Sequence, residues 1–365
     1  MGLGAILSNS LAPLCWPFWE DCFRYRWLSP GAVDGLLWLY LVLAILAGIL
    51  FVKKQTVTWA WGLFLFLSAL KIFFLFQDFQ LRLNQHYMVG FASLAFLFFP
   101  GKREVLKILI ALFYFFSGTL KLNWEWVSGS ALYKPILFFS GKLLVAACTY
   151  VVILELILIW GIFASRAWIF WATFFQLILF HVVSWQVVGF FYPTVMLCLL
   201  AIYPLSRLIP SEKMDPTIWK ARLRALPRSS WVFLGGFSLL QLWPAFIPGD
   251  SSVTGEGRIF GVHMFDARLE CEAYAVLKRG PGETKKIDLK SSMATRIQCD
   301  PLVYFDRAKA LCRLRQPHQG FTDFDLFLNS KKQTEAELRP VIAIENFCAT
   351  DPDYKIWRHN PWIKP

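Results

Sequence analysis

Val33–Phe51 reads VDGLLWLYLVLAILAGILF, nineteen residues with one charge. A helix needs about 20 apolar residues to cross bilayer hydrocarbon. The run is too long and too evenly apolar to be a half-buried strand, which would alternate. Outward from it, similar runs fall at Val57–Phe76, Tyr87–Phe99, Val105–Leu120, Leu143–Phe163, Ala167–Val183, Val187–Leu205 and Trp231–Ile247. The pattern predicts an all-α multi-pass transmembrane bundle of about eight spans. The third run is short and only Ser184–Gln186 separates the sixth from the seventh, which leaves room for one tilted or re-entrant segment.

Composition points the same way: 365 residues, 56% hydrophobic, with 17 Trp and 35 Phe, and a mean hydropathy of +0.48. No basic start, apolar core and small-residue cleavage site opens the chain, so the first span is expected to direct insertion. Ahead of it, Met1–Trp27 mixes Trp16, Phe18, Trp19 and Phe23 with Glu20, Asp21, Arg24 and Arg26, the pattern of a segment lying in the membrane interface.

The formal charge of +12 follows from topology rather than from nucleic acid, because no basic face interleaved with aromatics is present. With eight spans, one side receives Lys53 and Lys54; Lys102, Arg103 and Lys107; Arg166; and Arg207, Lys213, Lys220, Arg222, Arg224 and Arg228. That side is expected to be cytoplasmic. The other side receives Gln77–His86, Lys121–Lys142, the Ser184 turn and the whole tail, placing the C-terminal part outside the cytosol of a cytoplasmic (inner) membrane.

Two domains are expected: residues 1–248, the bundle with its interfacial lead, and 249–365, a small extracytoplasmic α+β tail where charge returns. Arg258–Phe265 and Arg268–Lys278 alternate like strands, and Arg279-Gly280-Pro281-Gly282 signals a turn. Asp300–Arg315 has the spacing of a helix face, and Asp323–Leu328 and Val341–Phe347 read as further strands. Cys271, Cys299, Cys312 and Cys348 can pair there in three ways, which the sequence leaves open.

Three ionisable residues, His86, Lys121 and His181, stand at the edges of apolar runs on the non-cytoplasmic side. Each has an ordinary reading: Lys121 as a snorkelling side chain beside Trp124 and Trp126, the histidines as hydrogen-bonded interfacial groups. The functional reading makes Lys121 a base in a poorly hydrated place and the histidines proton carriers or oxygen-orienting groups. Ser117-Gly118, one turn before Lys121, allows another backbone or a ligand to come close. Glu155 falls inside hydrocarbon, where an acid costs about 2.5–3.5 kcal/mol and needs a partner, a proton or water. His86, His181 and Glu155 lack metal-ligand spacing, so no metal is expected.

At these residues the chain resembles a family. Tyr114-Phe115-Phe116-Ser117-Gly118-Thr119-Leu120-Lys121-Leu122 followed by Trp126-Val127-Ser128-Gly129 is similar to the Tyr-Phe-x-x-Gly-x-Lys-Lys-Leu…Trp-x-x-Gly stretch of vitamin K-dependent γ-glutamyl carboxylases and their bacterial relatives. Those proteins share the horizontally transferred transmembrane domain. Asn84-x-His86, Phe180-His181 before Gln186, and Gly255-Glu256-Gly257-Arg258-Ile259-Phe260 extend the likeness in order, and Glu155 stands where the family carries an acid. The chain resembles a short bacterial-type member.

The resemblance implies a lyase-type carboxylase chemistry: a reduced vitamin K or other lipid hydroquinone is deprotonated and oxygenated by O2, the base so formed takes a γ-proton from a peptide glutamate, and CO2 adds. It implies Lys121 as the initiating base, His86 near the carboxylation step and His181 in a less defined role, with Glu155, Asn84 and Trp126 as candidates for the substrate or proton path. Implied partners are membrane lipid, a lipid quinone and a Glu-containing secreted or membrane protein. Two departures matter. Leu120 replaces the first Lys of the family's pair, and the tail is much shorter than the substrate-engaging part of animal carboxylases. Quinol oxygenation without peptide carboxylation is therefore open, as is a non-enzymatic scaffold with an inherited lipid-binding bundle. A proton-coupled transporter built on Glu155 is a third reading, for which the sequence carries no repeat or broken-helix signature.

Overall fold

A computed structural model describes residues 16, 30–77, 79–81, 83–208, 221–262, 267–280, 282–289, 298–313 and 321–364. The interfacial lead lies outside them except for Trp16, whose indole donates to the Leu75 carbonyl at 2.9 Å and is buried beside Phe79.

The bundle runs α1 (Pro30–Val52), α2 (Val57–Gln77), α3 (Asn84–Phe98), α4 (Lys102–Leu120), the one-turn α5 (Trp124–Val127), α6 (Gly141–Leu156), α7 (Ala167–Val188), α8 (Phe191–Leu200), α9 (Ile202–Leu208) and α10 (Arg228–Leu242). Among the described residues, three segments are long and apolar enough to cross a membrane: Gly35–Val52, Lys54–Phe76 and Ala167–Val188. Trp38, Val42, Ile45 and Ile49 on α1 are exposed, a stripe untenable in water and natural in lipid.

Of the remaining apolar runs, the third and fourth each form one unbroken helix, α3 and α4, while others are interrupted. The fifth gives α6 and then a 3-10 segment, Leu158–Phe163, and the seventh splits at Ala201 into α8 and α9. Helix α4 starts on Lys102, Arg103 and Glu104 and is the axis of the bundle; Leu109, Ile110, Phe113, Tyr114 and Phe116 are all in the core.

The two ends of the bundle differ in kind. At one end Arg222 pairs with Glu104 at 3.4 Å, Arg207 donates to the Ala164 carbonyl at 2.8 Å, and Ser230 donates to the Pro100 carbonyl at 3.0 Å. The basic loops thus meet. At the other end sits the tail: α11 (Ser251–Thr254), β1 (Leu269–Gly280), β2 (Glu283–Asp288), α12 (Pro301–Arg313), β3 (Asp323–Lys332), β4 (Arg339–Ile344) and α13 (Phe347–Thr350). Its antiparallel sheet has the order β2-β1-β3-β4. Alternate residues Cys271, Ala273, Ala275 and Leu277 of β1 and Phe324, Leu326 and Leu328 of β3 form a core with Tyr304, Phe305, Ala308 and Leu311 of α12.

The α+β tail is as expected, with corrections. Arg258–Val262 forms turns rather than a strand, while residues 263–265 of that expected strand lie outside the described part. The cysteines pair as Cys271–Cys299 and Cys312–Cys348. Glu256 is buried and accepts hydrogen bonds from Asn360 N at 2.7 Å and His359 Nδ1 at 2.9 Å, pinning the C-terminal segment beside the bundle. Gly257 sits at φ +72 with Pro244 Cα 2.9 Å from where a Cβ would be, so this turn admits only glycine. Tyr87 of α3 donates its hydroxyl to the Ile259 carbonyl, and the Val262 amide donates to Gln241 of α10 at 2.7 Å.

Candidate functional site

Tyr114, Ser117 and Lys121 are spaced three and four apart on α4, so they share one helix face. Lys121 caps that helix, and α6 crosses it closely there. A Cβ on Gly118 would lie 3.0 Å from Glu155 Cβ and 2.9 Å from Leu156 Cγ. The close approach brings Lys121 Nζ to 2.5 and 2.6 Å from the two Glu155 oxygens. Ser117 Oγ accepts from Lys121 Nζ at 3.0 Å and donates toward the carboxylate at 3.2 Å. Lys121 is 2% exposed and Glu155 0%. Lys121 is not a snorkelling side chain, and Glu155 has the partner its position demands.

The chain turns sharply after Lys121. Asn123 donates from Nδ2 to the Leu120 carbonyl and accepts from the Trp126 amide, both at 2.8 Å, which nucleates α5. Trp126 is thereby folded back over Lys121, with Nζ 4.7 Å from its ring centroid. The Trp126 indole donates to the Cys148 carbonyl on α6 at 3.0 Å. Phe180 of α7 covers the lysine from another side at 5.4 Å.

Lys121 stands in the wall of a cavity of about 450 Å³ whose lining is mostly apolar, including Trp126, Cys148, Val151, Phe180 and Phe191. Asn84 and Gln85 lie at the same cavity. A second, more polar cavity of about 600 Å³ lies between Tyr133 and the start of β1. Tyr133 lines both.

The residues anticipated from sequence separate into two groups. Lys121, Glu155, Trp126 and Asn84 come together at the pair and its cavity. His181 is buried one position behind Phe180, with Nε2 2.6 Å from the Tyr114 hydroxyl, one turn along α4 from Ser117. Its Nδ1 has no hydrogen-bond partner among the described residues. His86 does not line the cavity. Two residues along α3 from Asn84 it is rotated by about 200° to the other side of the helix, where the charge acting on it is Lys71 of α2.

From sequence no chemical role falls to Tyr114, Cys148 or Glu125, and Ser117 counts only as a point of close approach beside Gly118. The polar stripe at 114, 117 and 121 was a usable signal for the first two. Glu125 is buried and accepts from Thr334 Oγ1 of the tail at 2.8 Å, a contact across 209 residues that no local pattern announces. No group of His, Cys, Asp and Glu suited to a metal ion occurs among the described residues. Comparison with protein-family models, curated proteins and solved structures finds no match for this chain.

Proposed function

We propose that this chain is a multi-pass membrane enzyme of the vitamin K-dependent carboxylase kind, which takes a reduced lipid quinone into the cavity beside Lys121 and oxygenates it. The observation that carries the reading is Lys121 in the wall of a mostly apolar cavity, itself buried and hydrogen-bonded to Glu155. The cavity's volume lies within the about 300–1,000 Å³ usual for small-molecule sites. Aromatic walls with a few polar groups suit a flat ring whose hydroxyl must reach a base. Trp126, Phe180 and Phe191 would hold the ring, and Asn84 offers a hydrogen bond near it.

When bound, a reduced quinone supplies an acidic hydroxyl and reacts with oxygen to the epoxide, releasing the strong base that carboxylation of a peptide glutamate requires. The protein's own part is proton control. Lys121 and Glu155 share a proton between two buried side chains, so it can rest on either without a net change of charge. With the proton on Glu155, the Lys121 amine faces the cavity as a base. A proton delivered from the cavity is then held at Nζ between Ser117 Oγ and the Glu155 carboxyl. Tyr114–His181 continues the polar line along α4, with Nε2 of His181 2.6 Å from the Tyr114 hydroxyl.

The same reading places eight helical crossings in the cytoplasmic membrane, with the basic end of the bundle in the cytosol and the tail outside. The gathering of Arg207, Arg222 and Lys102 at the end opposite the tail supports it. So do two disulfides in the tail, which need an oxidising compartment.

The test is epoxide formation by the purified protein in detergent, with reduced quinones and oxygen, with and without a Glu peptide and labelled bicarbonate. Epoxide that disappears in Lys121→Met and in the Lys121→Met/Glu155→Met double variant supports the assignment, and label in the peptide extends it to carboxylation. Folded wild-type protein that forms no epoxide from any quinol overturns it and leaves a lipid-binding scaffold.

A further inference from the structure

We propose that the tail domain controls the Lys121 cavity through one latch, in which Lys332 and Thr334 at the β3–β4 turn hold Glu125 and thereby position Trp126. The inference rests on the reading of that cavity as a ligand site, but its test needs no turnover. Glu125 and Trp126 are neighbours in a single helical turn, so their side chains leave it about 100° apart. One reaches the tail and the other the cavity. Glu125 Oε1 accepts from Thr334 Oγ1 at 2.8 Å and lies 3.6 Å from Lys332 Nζ. Lys332 Nζ is also 2.5 Å from Asp250 Oδ2, just after the last bundle helix, so the turn grips the bundle at two points.

A four-residue helix has almost no stability of its own, and tertiary contacts decide where it sits. Beyond Glu125 the chain is stiff. The Glu125 carbonyl accepts from the Ala131 amide at 2.9 Å and from Ser130 Oγ at 3.1 Å. Residues 125–131 therefore move as a unit, and Trp126 within it and Leu132 just after it both line the cavity. A displacement at Glu125 is a displacement of the cavity wall. By linkage, whatever holds or frees the turn changes affinity in the cavity, and occupancy of the cavity changes the grip on the turn by the same factor.

Cys148 offers a direct readout, because it is a free, buried thiol in the cavity wall whose carbonyl anchors the Trp126 indole. Cys198 on α8 is free and exposed, and does not line the cavity, which makes it the internal control. The experiment is N-ethylmaleimide alkylation of the full chain in detergent, with rates at both thiols read by peptide mass spectrometry. In the Lys332→Met/Thr334→Val double variant and in Glu125→Ala, the Cys148 rate should rise about tenfold, the factor expected when a buried charge-assisted contact is lost. The Cys198 rate should not change. Thr334→Ser, which keeps the hydroxyl, should return Cys148 to the wild-type rate. An unchanged Cys148 rate in both latch variants overturns the proposal, and so does a parallel rise at Cys198, which would mean general loosening. Absence of quinol chemistry in the wild type would leave these rates, and the latch, untouched.

Discussion

Lys121 and Glu155 have left water together, and each depends on the other for the charge it carries. Coulomb attraction and hydrogen bonding offset the loss of hydration only while both are present. Removing one partner of a buried pair costs about 3–5 kcal/mol, whereas replacing both with apolar groups of similar volume is often neutral. Lys121→Met and Glu155→Gln alone should therefore each lower the melting temperature in detergent, and Lys121→Met/Glu155→Met should recover most of the loss while staying inactive. A double variant no more stable than either single one would mean that the pair is not coupled. Gly118 sets the geometry. Gly118→Ala puts a methyl into contact with Leu156 and Glu155, so it should cost about 1–3 kcal/mol and separate the pair. Unchanged stability and epoxide formation in that variant would refute the close-approach account. Both members of the pair were visible in the sequence as isolated polar residues in apolar surroundings. Their pairing was not, because they are 34 residues apart and meet only where two helices cross.

At the scale of elements, periodicity identifies helices well and their interruptions poorly. The fifth and seventh apolar runs look continuous, yet each is broken, at Ile157 and at Ala201, because hydropathy does not register a change of hydrogen-bonding pattern. His86 was grouped with Lys121 by membrane side alone, a criterion blind to rotation about the helix axis; Asn84 and Gln85 are the residues of α3 that reach the cavity. Strand β2 is almost wholly exposed and charged, so it carries no apolar alternation to read, and only its pairing with β1 makes it a strand. Turn chemistry did mark the hairpin that joins them. The tail's two disulfides close loops of 28 and 36 residues, each worth about 3–4 kcal/mol by chain entropy. Reduction should make the tail the first part of the chain cut in limited proteolysis, with the bundle fragment surviving. Equal protease resistance before and after reduction would show that the core of α12 against the sheet suffices.

Across the whole molecule, the junction of bundle and tail is ionic as well as packed. Burial works against the Asp250 carboxylate, but its bonds to Lys332 and Ser252 win and hold its pKa below the ordinary value near 3.8. Burial likewise works against charge on Lys332, and Asp250 and Glu125 outweigh it, so its pKa is raised above 10.5. The signs bracket a pH window. The Asp250 contribution is complete above about pH 4 and fades as pH falls through its lower folded value; the Lys332 contribution is complete below about pH 10 and fades as pH rises through its higher one. Cys148 alkylation should be slowest and flat between these limits once corrected for thiolate fraction, and Asp250→Asn should weaken the acid limb, the Glu125 carboxylate on Lys332 and Thr334 remaining. The basic loops and the tail occupy opposite ends of the bundle, and that arrangement makes the span count testable by side alone. Lys54 follows the first expected span and Glu337 lies beyond the eighth, so seven crossings separate them and they fall on opposite sides. Were one apolar segment re-entrant, six crossings would put them on the same side. With the native free thiols removed, a membrane-impermeant maleimide applied to intact cells should label Glu337→Cys at once and Lys54→Cys only after permeabilisation. Both labelled together would require an even number of crossings between them; the reverse order would put the tail, and the mouth of any site it guards, in the cytosol.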